Sequence, residues 1–267
     1  SKIKQKEYYK NSKREGTWTE FYQNGNLKTE VTYANGDTFE GNFESDQRQG
    51  QGNFIGQDGY KYSGNWDKGQ INGTGKVSYP DGSVYLGKFT NGRADGKGKI
   101  SYPDGSSYEG DWAKGVIDGI GVALYPNGTS YEGEFKNAQN HGFGIIKYSD
   151  GYVYEGDWRN GMRHGKGKAI FADGMVYIGE YKESQRHGNG TLILADGFRY
   201  EGAWSNGEIT GQGKAIYANG DVYEGNFLKG KRQGKGSIKF ATIRASLCVN
   251  CPLTCGNEHF QFSSSLC

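Results

Sequence analysis

The sequence predicts an all-β protein, a single-layer antiparallel meander of β-hairpin repeats that forms an elongated, twisted and curved sheet. Three observations support this fold class. An aromatic-x-Gly-x-aromatic signature returns every 23 residues. An Asn-Gly or Asp-Gly pair precedes each copy, and a Gly-x-Gly pair follows it at the same step. No stretch within 35–241 shows the helical period of about 3.6 residues, so no helix is expected to cover the sheet.

The composition agrees with a folded chain rather than a disordered one. Mean hydropathy is −0.83 and only 34% of the residues are hydrophobic, values that are common in disordered proteins. The 267 residues nevertheless include 20 Tyr, 13 Phe and 46 Gly but only 4 Pro, so the glycines need a structural explanation. The net charge of +2 predicts no attraction to nucleic acid. No apolar run approaches the ~20 residues that span a bilayer.

The repeats divide the chain into four segments. Residues 1–15 form a basic N-terminal arm, and residues 16–34 are interpreted as a divergent capping repeat. Nine repeats without insertion occupy 35–241, from Phe39-Gly41-Phe43 to Tyr223-Gly225-Phe227. Residues 242–267 are a tail that is predicted to be irregular or disordered and that carries all 4 Cys.

Each repeat is predicted to contain two short strands. In the first strand of one repeat, Tyr108, Gly110 and Trp112 lie two residues apart and therefore share a face, while Glu109 and Asp111 point to the other face. The second strand alternates in the same way. A large ring on one strand can lie over a glycine on its neighbour, which offsets the usual cost of glycine in a strand.

The connection between repeats is constrained by parity. Tyr102 and Tyr108 share a face only if the loop between their strands has an odd number of residues. We therefore predict a three-residue loop around Asp104-Gly105, a type I turn with Gly105 in the left-handed conformation and a bulge.

The aromatic face is the candidate binding surface. Because no helix or second sheet is predicted to cover it, part of this face is expected to stay accessible, to line the concave side and to bind a partner in a groove. The alternative is that curvature lets the rings cover one another and the glycines, which leaves no free patch. The groove candidates are the paired aromatic residues of the second to ninth repeats: Tyr62, Trp66, Tyr85, Phe89, Tyr108, Trp112, Tyr131, Phe135, Tyr154, Trp158, Tyr177, Tyr181, Tyr200, Trp204, Tyr223 and Phe227.

No catalytic site is predicted in the repeats. Equivalent positions in successive repeats lie two strands apart, roughly 10 Å, whereas zinc ligands lie at about 2.1 Å from the metal. Nothing marks out one carboxylate pair from the others, and no helix follows the Gly-x-Gly pairs to bind a phosphate. The residues considered are His141, His164 and His187, and the ladder Glu109, Glu132 and Glu155.

The repeated residues resemble the MORN family (membrane occupation and recognition nexus), whose unit combines Tyr-Glu-Gly-x-Trp, a Gly-x-Gly pair and an Asp-Gly or Asn-Gly turn. The resemblance covers about three-quarters of the chain. The segment "GTWTEFYQNGNLKTEVTYANG" is similar to a shorter variant in bacterial repeat proteins. Known members form curved single sheets with a groove. Some carry a phosphatidylinositol phosphate kinase or a SET methyltransferase domain, and neither domain is present here.

Other members of the family are scaffolds: junctophilin-like membrane tethers, radial-spoke heads of cilia and parasite cytoskeletal proteins. The resemblance therefore implies a non-enzymatic scaffold without a cofactor. Its expected partner is a protein, as an extended or helical segment or as a large cytoskeletal, ciliary or membrane-associated assembly, and self-association stays open. An intracellular location, cytoplasmic or cytoskeletal or ciliary, is expected, and an organelle after removal of a leader is left open.

Binding to phosphoinositides or an anionic membrane surface, as a tether, is the alternative function. Recurrent cations along one edge could contact anionic headgroups, at about 1 kcal/mol each. Against this, the acidic residues nearly cancel the charge. The edge positions are Lys68, Lys114, Lys136, Arg159, Lys182 and Lys229, with Arg48, Arg163, Arg186 and Arg232 in the next bend.

The tail contains a candidate zinc site. Cys248, Cys251, Cys255 and His259 are residue types that bind tetrahedral zinc, although their spacing matches no common zinc finger. The alternative is a disordered tail with reactive thiols.

Overall fold

The computed structural model describes residues 6–7, 15–21, 27–33, 35–45 and 47–241, with side chains from residue 30 onward. Within these residues there are 21 β-strands and no helix. Each strand pairs antiparallel with the next along the chain, which confirms the all-β meander. The strands are β1 Lys6–Glu7, β2 Glu15–Phe21, β3 Leu27–Thr32, β4 Thr38–Glu44, β5 Gln47–Ile55, β6 Lys61–Asp67, β7 Gln70–Ser78, β8 Val84–Thr90, β9 Arg93–Ser101, β10 Ser107–Ala113, β11 Val116–Leu124, β12 Ser130–Lys136, β13 Gln139–Lys147, β14 Val153–Arg159, β15 Met162–Ile170, β16 Val176–Lys182, β17 Gln185–Ile193, β18 Arg199–Ser205, β19 Glu208–Ile216, β20 Val222–Leu228 and β21 Lys231–Lys239.

A seven-residue strand and a nine-residue strand make up each repeat, so β4–β5 form repeat one, β10–β11 form repeat four and β20–β21 form repeat nine. Inside a repeat the two strands are joined by a two-residue turn. In repeat four Ala113 pairs with Val116, and the turn residues Lys114 and Gly115 have φ of 52° and 90°. Positive φ at both positions is the type I′ geometry that matches the twist of the flanking strands.

The loop between repeats has three residues, as parity predicts. Tyr102 N–H donates to the Ser106 carbonyl at 2.9 Å, and Gly105 N–H donates to the Tyr102 carbonyl at 3.1 Å. Gly105 has a φ of 87°, in the left-handed region. The Asp104 carboxylate also accepts a bond from Ser106 N–H at 2.8 Å. The predicted type I turn with a left-handed glycine is therefore confirmed.

A large bulge interrupts the pairing inside each repeat. In repeat four Gly110 pairs with Gly121, and the next pair is Trp112 with Ile117. Asp111 alone therefore faces residues 118–120. Tyr108 and Trp112 are four residues apart on β10 and therefore share a face. Because the bulge adds an even number of residues to β11, Ile117 is paired with Trp112 on that same face. The Asp111 carboxylate accepts the Ile120 N–H at 2.9 Å inside the bulge.

The core lies on one face of the sheet, which we call the ring face; the opposite face, which carries Glu109 and Asp111, is called the polar face. The side chains of Tyr108, Trp112 and their equivalents are buried on the ring face, while Glu109 is exposed. The tail residues 242–267 lie outside the described residues, and with them the zinc candidates Cys248, Cys251, Cys255 and His259.

Candidate functional site

The aromatic residues that were predicted to line a partner groove are the core of the protein. They lie on one face, as expected, but none is more than 9% exposed, and Tyr131, Tyr154 and Tyr177 are fully buried. The rings cover one another and the glycines, which is the alternative that the sequence left open. The correction applies to Tyr62, Trp66, Tyr85, Phe89, Tyr108, Trp112, Tyr131, Phe135, Tyr154, Trp158, Tyr177, Tyr181, Tyr200, Trp204, Tyr223 and Phe227.

Edge-to-face contacts between rings account for this burial. The Tyr108 ring lies 5.6 Å from Trp112 in its own repeat and 5.1 Å from Phe135 in the next repeat. The same two contacts recur in the other repeats, so the rings form one unbroken chain from Phe39 to Tyr223. Perpendicular ring pairs of this kind stabilise by about 0.5–1.5 kcal/mol beyond the area that they bury.

Glycines form the floor beneath the rings. A Cβ atom added at Gly121 would lie 2.5 Å from the Tyr108 ring and could not be accommodated. The Trp112 indole N–H donates to the Gly98 carbonyl at 3.1 Å, so this ring too lies against the backbone of a neighbouring strand. The second glycine of each Gly-x-Gly pair thus lies beneath a ring, whereas the first, such as Gly119, faces the side chain of Asp111.

The tyrosine hydroxyls satisfy a main-chain carbonyl inside the core. The Tyr108 hydroxyl donates to the Asp111 carbonyl at 2.9 Å, and the equivalent bond is present in repeats two to nine. Burial raises the pKa of Tyr108 to about 12. These phenols are structural donors in their neutral form.

Accessible aromatic surface occurs at the margin of the ring face. We call Tyr79, Tyr102, Tyr125 and Tyr148 the outer aromatic row; each is the last residue before the three-residue loop of its repeat. Tyr102, Tyr125 and Tyr148 are 40%, 42% and 41% exposed. The strand pattern of the sequence contains Tyr102 but predicts no functional role for it. Its equal spacing from Tyr125 and Tyr148 is the signal that could have identified the row.

The arginines that were predicted to extend a cationic edge lie over rings instead. The Arg163 guanidinium lies 5.7 Å from the Tyr154 ring and 5.5 Å from the Tyr181 ring, and it donates hydrogen bonds to the Tyr152 hydroxyl and the Ser184 carbonyl. These cations pack on aromatic faces, whereas the lysines at the two-residue turns, such as Lys68 and Lys114, are exposed. The same packing is seen for Arg48, Arg186 and Arg232.

The polar face carries charge ladders and an open hollow over repeats seven to nine. Lys99 pairs with Glu109 at 3.1 Å, and Lys214 pairs with Glu224 at 2.7 Å. An open hollow of about 1010 Å³ is lined by Ile178, Lys214 and Glu224, among others. All three side chains project from the polar face. Over these repeats the hollow therefore lies on the polar face, whereas the sequence predicts a groove on the ring face.

The histidines stay apart, one to a repeat, as predicted. His141 is paired with Glu134 across β12–β13, and His187 with Glu180 across β16–β17. Within the described part of the chain, no three His, Cys, Asp or Glu side chains are close enough to hold a metal ion. That part also contains no helix of the length and apolarity that crossing a membrane requires.

Comparison with solved structures gives weak likenesses. The TCP domain of SAS-4 from Drosophila melanogaster, in complex with a proline-rich motif of Ana2, is 12% identical, with 66% of this chain and 89% of that chain covered and a TM-score of 0.37. The TCP10 domain of CPAP from Danio rerio, in complex with a STIL peptide, is 16% identical over 90% and 100% of the two chains, with a TM-score of 0.30. Scores this low do not carry function from one protein to another. Among curated proteins, no match is found.

Comparison with protein families gives a consistent result along the whole array. The MORN repeat matches nine times, and the matches agree with the nine repeats that the hairpins define. The matched residues are 39–59, 62–84, 85–107, 108–130, 131–151, 154–176, 177–199, 200–222 and 223–242. They amount to well over half of the chain, and the chain therefore belongs to the MORN repeat family.

Proposed function

We propose that this chain is a non-enzymatic scaffold that binds a segment of a partner protein along the outer aromatic row. The observation that carries the proposal is the equal exposure of Tyr102, Tyr125 and Tyr148, at 40%, 42% and 41%. Equivalent positions in successive repeats lie two strands apart, about 10 Å, so these rings form a regular stripe. Tyrosine combines a large apolar area with a hydrogen-bonding hydroxyl at low entropic cost, and it is enriched in protein interfaces.

The contacts of the titratable groups support the non-enzymatic part of this proposal. The pKa of Asp111 is lowered because Lys97 bonds to its carboxylate, at 2.8 Å. The pKa of Asp104 is lowered because Ser106 bonds to it inside the loop. Each of these pKa shifts is explained by one local hydrogen-bond partner. In an active site, several groups with shifted pKa values typically lie together in one cleft.

The partner class within this proposal is a protein segment, extended or helical, or a larger assembly of the cytoskeleton, of a cilium or at a membrane; self-association belongs to the same class. An intracellular location is part of the proposal, and it is supported by the scaffolds that the repeat family contains.

The experiment is affinity capture from native extract followed by cross-linking mass spectrometry, comparing the natural chain with a variant in which the three exposed tyrosines of the row become alanine. We expect the captured partner to fall by at least about tenfold with this variant. The matched control removes three other exposed apolar side chains and should retain the partner. If the control loses the partner and the tyrosine variant keeps it, the row is not the binding surface. The control substitutions are Leu86→Ala, Ile178→Ala and Leu228→Ala.

An anionic lipid surface is a second candidate, because Lys68, Lys114 and Lys229 are exposed at the tips of two-residue turns along one edge. The test is sedimentation with vesicles of neutral lipid and with vesicles that contain phosphatidylserine, at low and high salt. Pelleting that requires the acidic lipid and is abolished by changing these three lysines to glutamine would favour this candidate. Equal pelleting with both vesicle types would remove it.

A further inference from the structure

We propose that the polar face of repeats four and five is a second binding surface, for a peptide segment that carries both basic and apolar side chains. The surface consists of Ile120, Val122, Phe143 and Ile145, with Glu132 and Glu134 between them, and we call it the apolar–acidic patch. It is on the face opposite the outer aromatic row, so the inference goes beyond the proposed function and does not depend on it.

The apolar residues of this patch interrupt a polar pattern. At the two positions that Ile120 and Val122 occupy in repeat four, seven of the nine repeats carry only Lys, Gln, Asn, Thr or Ser. In repeat three, for example, they are Lys97 and Lys99. Only the adjacent repeats four and five are apolar at both positions. A substitution pattern confined to neighbouring repeats indicates a local function rather than a requirement of the fold.

The exposure of these side chains excludes a role in the core. Ile120 is 62% exposed, Phe143 is 50% exposed and Val122 is 39% exposed. They belong to the polar face, whereas the core of the same repeats lies on the ring face. Large apolar side chains that cluster in water mark an interaction surface.

The register of the strands joins the residues into one patch. Glu132 on β12 is paired with Val122 on β11 and with Ile145 on β13. Glu134 on the same strand is paired with Ile120. Three neighbouring strands thus present apolar, acidic and apolar side chains side by side, over a width of about 10 Å.

The carboxylates of the patch lack the lysines that pair with their equivalents Glu109 and Asp111 in repeat four. Glu109 is paired with Lys99 at 3.1 Å, but the equivalent neighbours of Glu132 are Val122 and Ile145. Among the described residues, no Lys or Arg lies within ion-pair distance of Glu132 or Glu134. The Glu134 carboxylate accepts the main-chain N–H of Phe143, at 3.2 Å.

The combination of exposed apolar side chains with carboxylates that lack a nearby Lys or Arg determines which kind of partner the patch fits. A Lys or Arg of the partner would pair with an exposed carboxylate that has no lysine or arginine of its own nearby, and the apolar side chains of the partner would cover β11 and β13. Nucleic acid and acidic lipid would be repelled by the carboxylates. A second copy that docked by the same patch would place Glu132 and Glu134 against their own equivalents, which is also repulsive.

The test measures binding of a fluorescent peptide in which lysine alternates with valine and leucine, using fluorescence anisotropy. Two companion peptides separate the contributions: one alternates lysine with serine, and the other alternates glutamine with valine and leucine. We expect the natural chain to bind the lysine–apolar peptide at least about tenfold more tightly than either companion. If the lysine–serine peptide binds equally well, or the natural chain binds none of the peptides, the proposal is overturned.

Two variants of the full chain locate the site. In the first, the four apolar residues are replaced by the polar residues of other repeats, as Ile120→Thr, Val122→Thr, Phe143→Gln and Ile145→Thr. In the second, Glu132→Gln and Glu134→Gln remove the charge but keep an acceptor for Phe143 N–H. We expect each variant to weaken binding about tenfold, with an unchanged circular dichroism spectrum.

The matched control is Leu86→Thr with Ile178→Thr, which removes two exposed apolar side chains from the same face outside the patch. Its affinity should stay within about twofold of the natural chain. Binding that survives both patch variants, or that falls equally in the control, would overturn the assignment. Light scattering of the natural chain and of the patch variants provides a further check. If the natural chain is a dimer and the patch variants are monomers, a second copy is the occupant and the proposal is overturned.

Discussion

The Tyr108 hydroxyl and the Asp111 carbonyl, three residues apart in the chain, are joined by a hydrogen bond of 2.9 Å inside the core. Asp111 is the single residue that faces the three-residue bulge of β11. The tyrosine thus covers the glycines with its ring and bonds to the backbone at the bulge with its hydroxyl. Phe39 occupies this position in repeat one and has no hydroxyl.

Removing one of these hydroxyls should destabilise the protein without a change in fold. For Tyr108→Phe we expect a loss of about 1–2 kcal/mol, because a part-buried carbonyl is left without its donor. Urea unfolding followed by circular dichroism measures this loss. Tyr102→Phe, on the exposed outer aromatic row, is the control and should change stability by less than about 0.5 kcal/mol. Equal effects at the two positions would show that the buried hydrogen bond is not a source of stability.

Two glycines should respond differently to alanine because their constraints differ. Gly121→Ala places a Cβ 2.5 Å from the buried Tyr108 ring, and we expect a loss of about 3 kcal/mol or more, since the ring has no free space to enter. Gly105→Ala meets no atom within 4 Å, but its φ is +87°. There the expected loss is about 1 kcal/mol, from backbone strain alone. Thermal unfolding of the two variants measures the difference, and a larger loss at Gly105 would contradict the steric explanation.

The two-residue turn of repeat five should be improved by glycine. Most repeats place Gly at the second turn position, as Gly115 does, but repeat five has Ala138 with a φ of 59°. Alanine in the left-handed region is strained, so Ala138→Gly should stabilise the protein by about 1 kcal/mol. The reciprocal variant Gly115→Ala should destabilise it by a similar amount. Urea midpoints of both variants test this, and a fall in stability for Ala138→Gly would contradict it.

Alkaline pH should unfold the array cooperatively. Burial raises the pKa of Tyr62, Tyr85 and Tyr108 to about 12, from an ordinary value of 10.0. The folded state therefore favours the neutral phenols; this contribution to stability is complete below pH ~10 and is lost as the pH rises through ~12. Phenolate absorbance and circular dichroism should change together between these limits. Titration of the buried tyrosines near pH ~10 with the sheet intact would contradict the prediction.

The sequence was sufficient to predict the pairing of the strands and the geometry of one loop. The even spacing of the signature placed Tyr108, Gly110 and Trp112 on one face, and parity required an odd loop around Gly105; both are observed. These conclusions follow from the two-residue alternation of a strand, which a periodic sequence records directly.

The burial of the rings could not be predicted in the same way. It depends on the bulge between Gly110 and Trp112, where three residues of β11 face Asp111. The bulge requires a positive φ at Gly119, which explains why glycine occupies this position. The sequence does not reveal this requirement, because the first glycine of each Gly-x-Gly pair cannot be distinguished from the second by residue type. The outer aromatic row and the apolar–acidic patch are not predicted by the repeat signature. Their residues vary between repeats, whereas the signature consists only of the residues that all nine repeats share.

The unbroken chain of rings from Phe39 to Tyr223 has a consequence for how the protein loses its structure. Each inner ring is held by one partner within its hairpin and one beyond it, so no hairpin is thermodynamically independent of the next. Among the residues that the structure describes, no ring follows the Tyr223–Phe227 pair in this chain of contacts, and every residue of β21 is exposed. We therefore expect unfolding to begin at the C-terminal hairpin and to proceed hairpin by hairpin toward the centre. The amide protons of the central hairpins should exchange most slowly in hydrogen exchange.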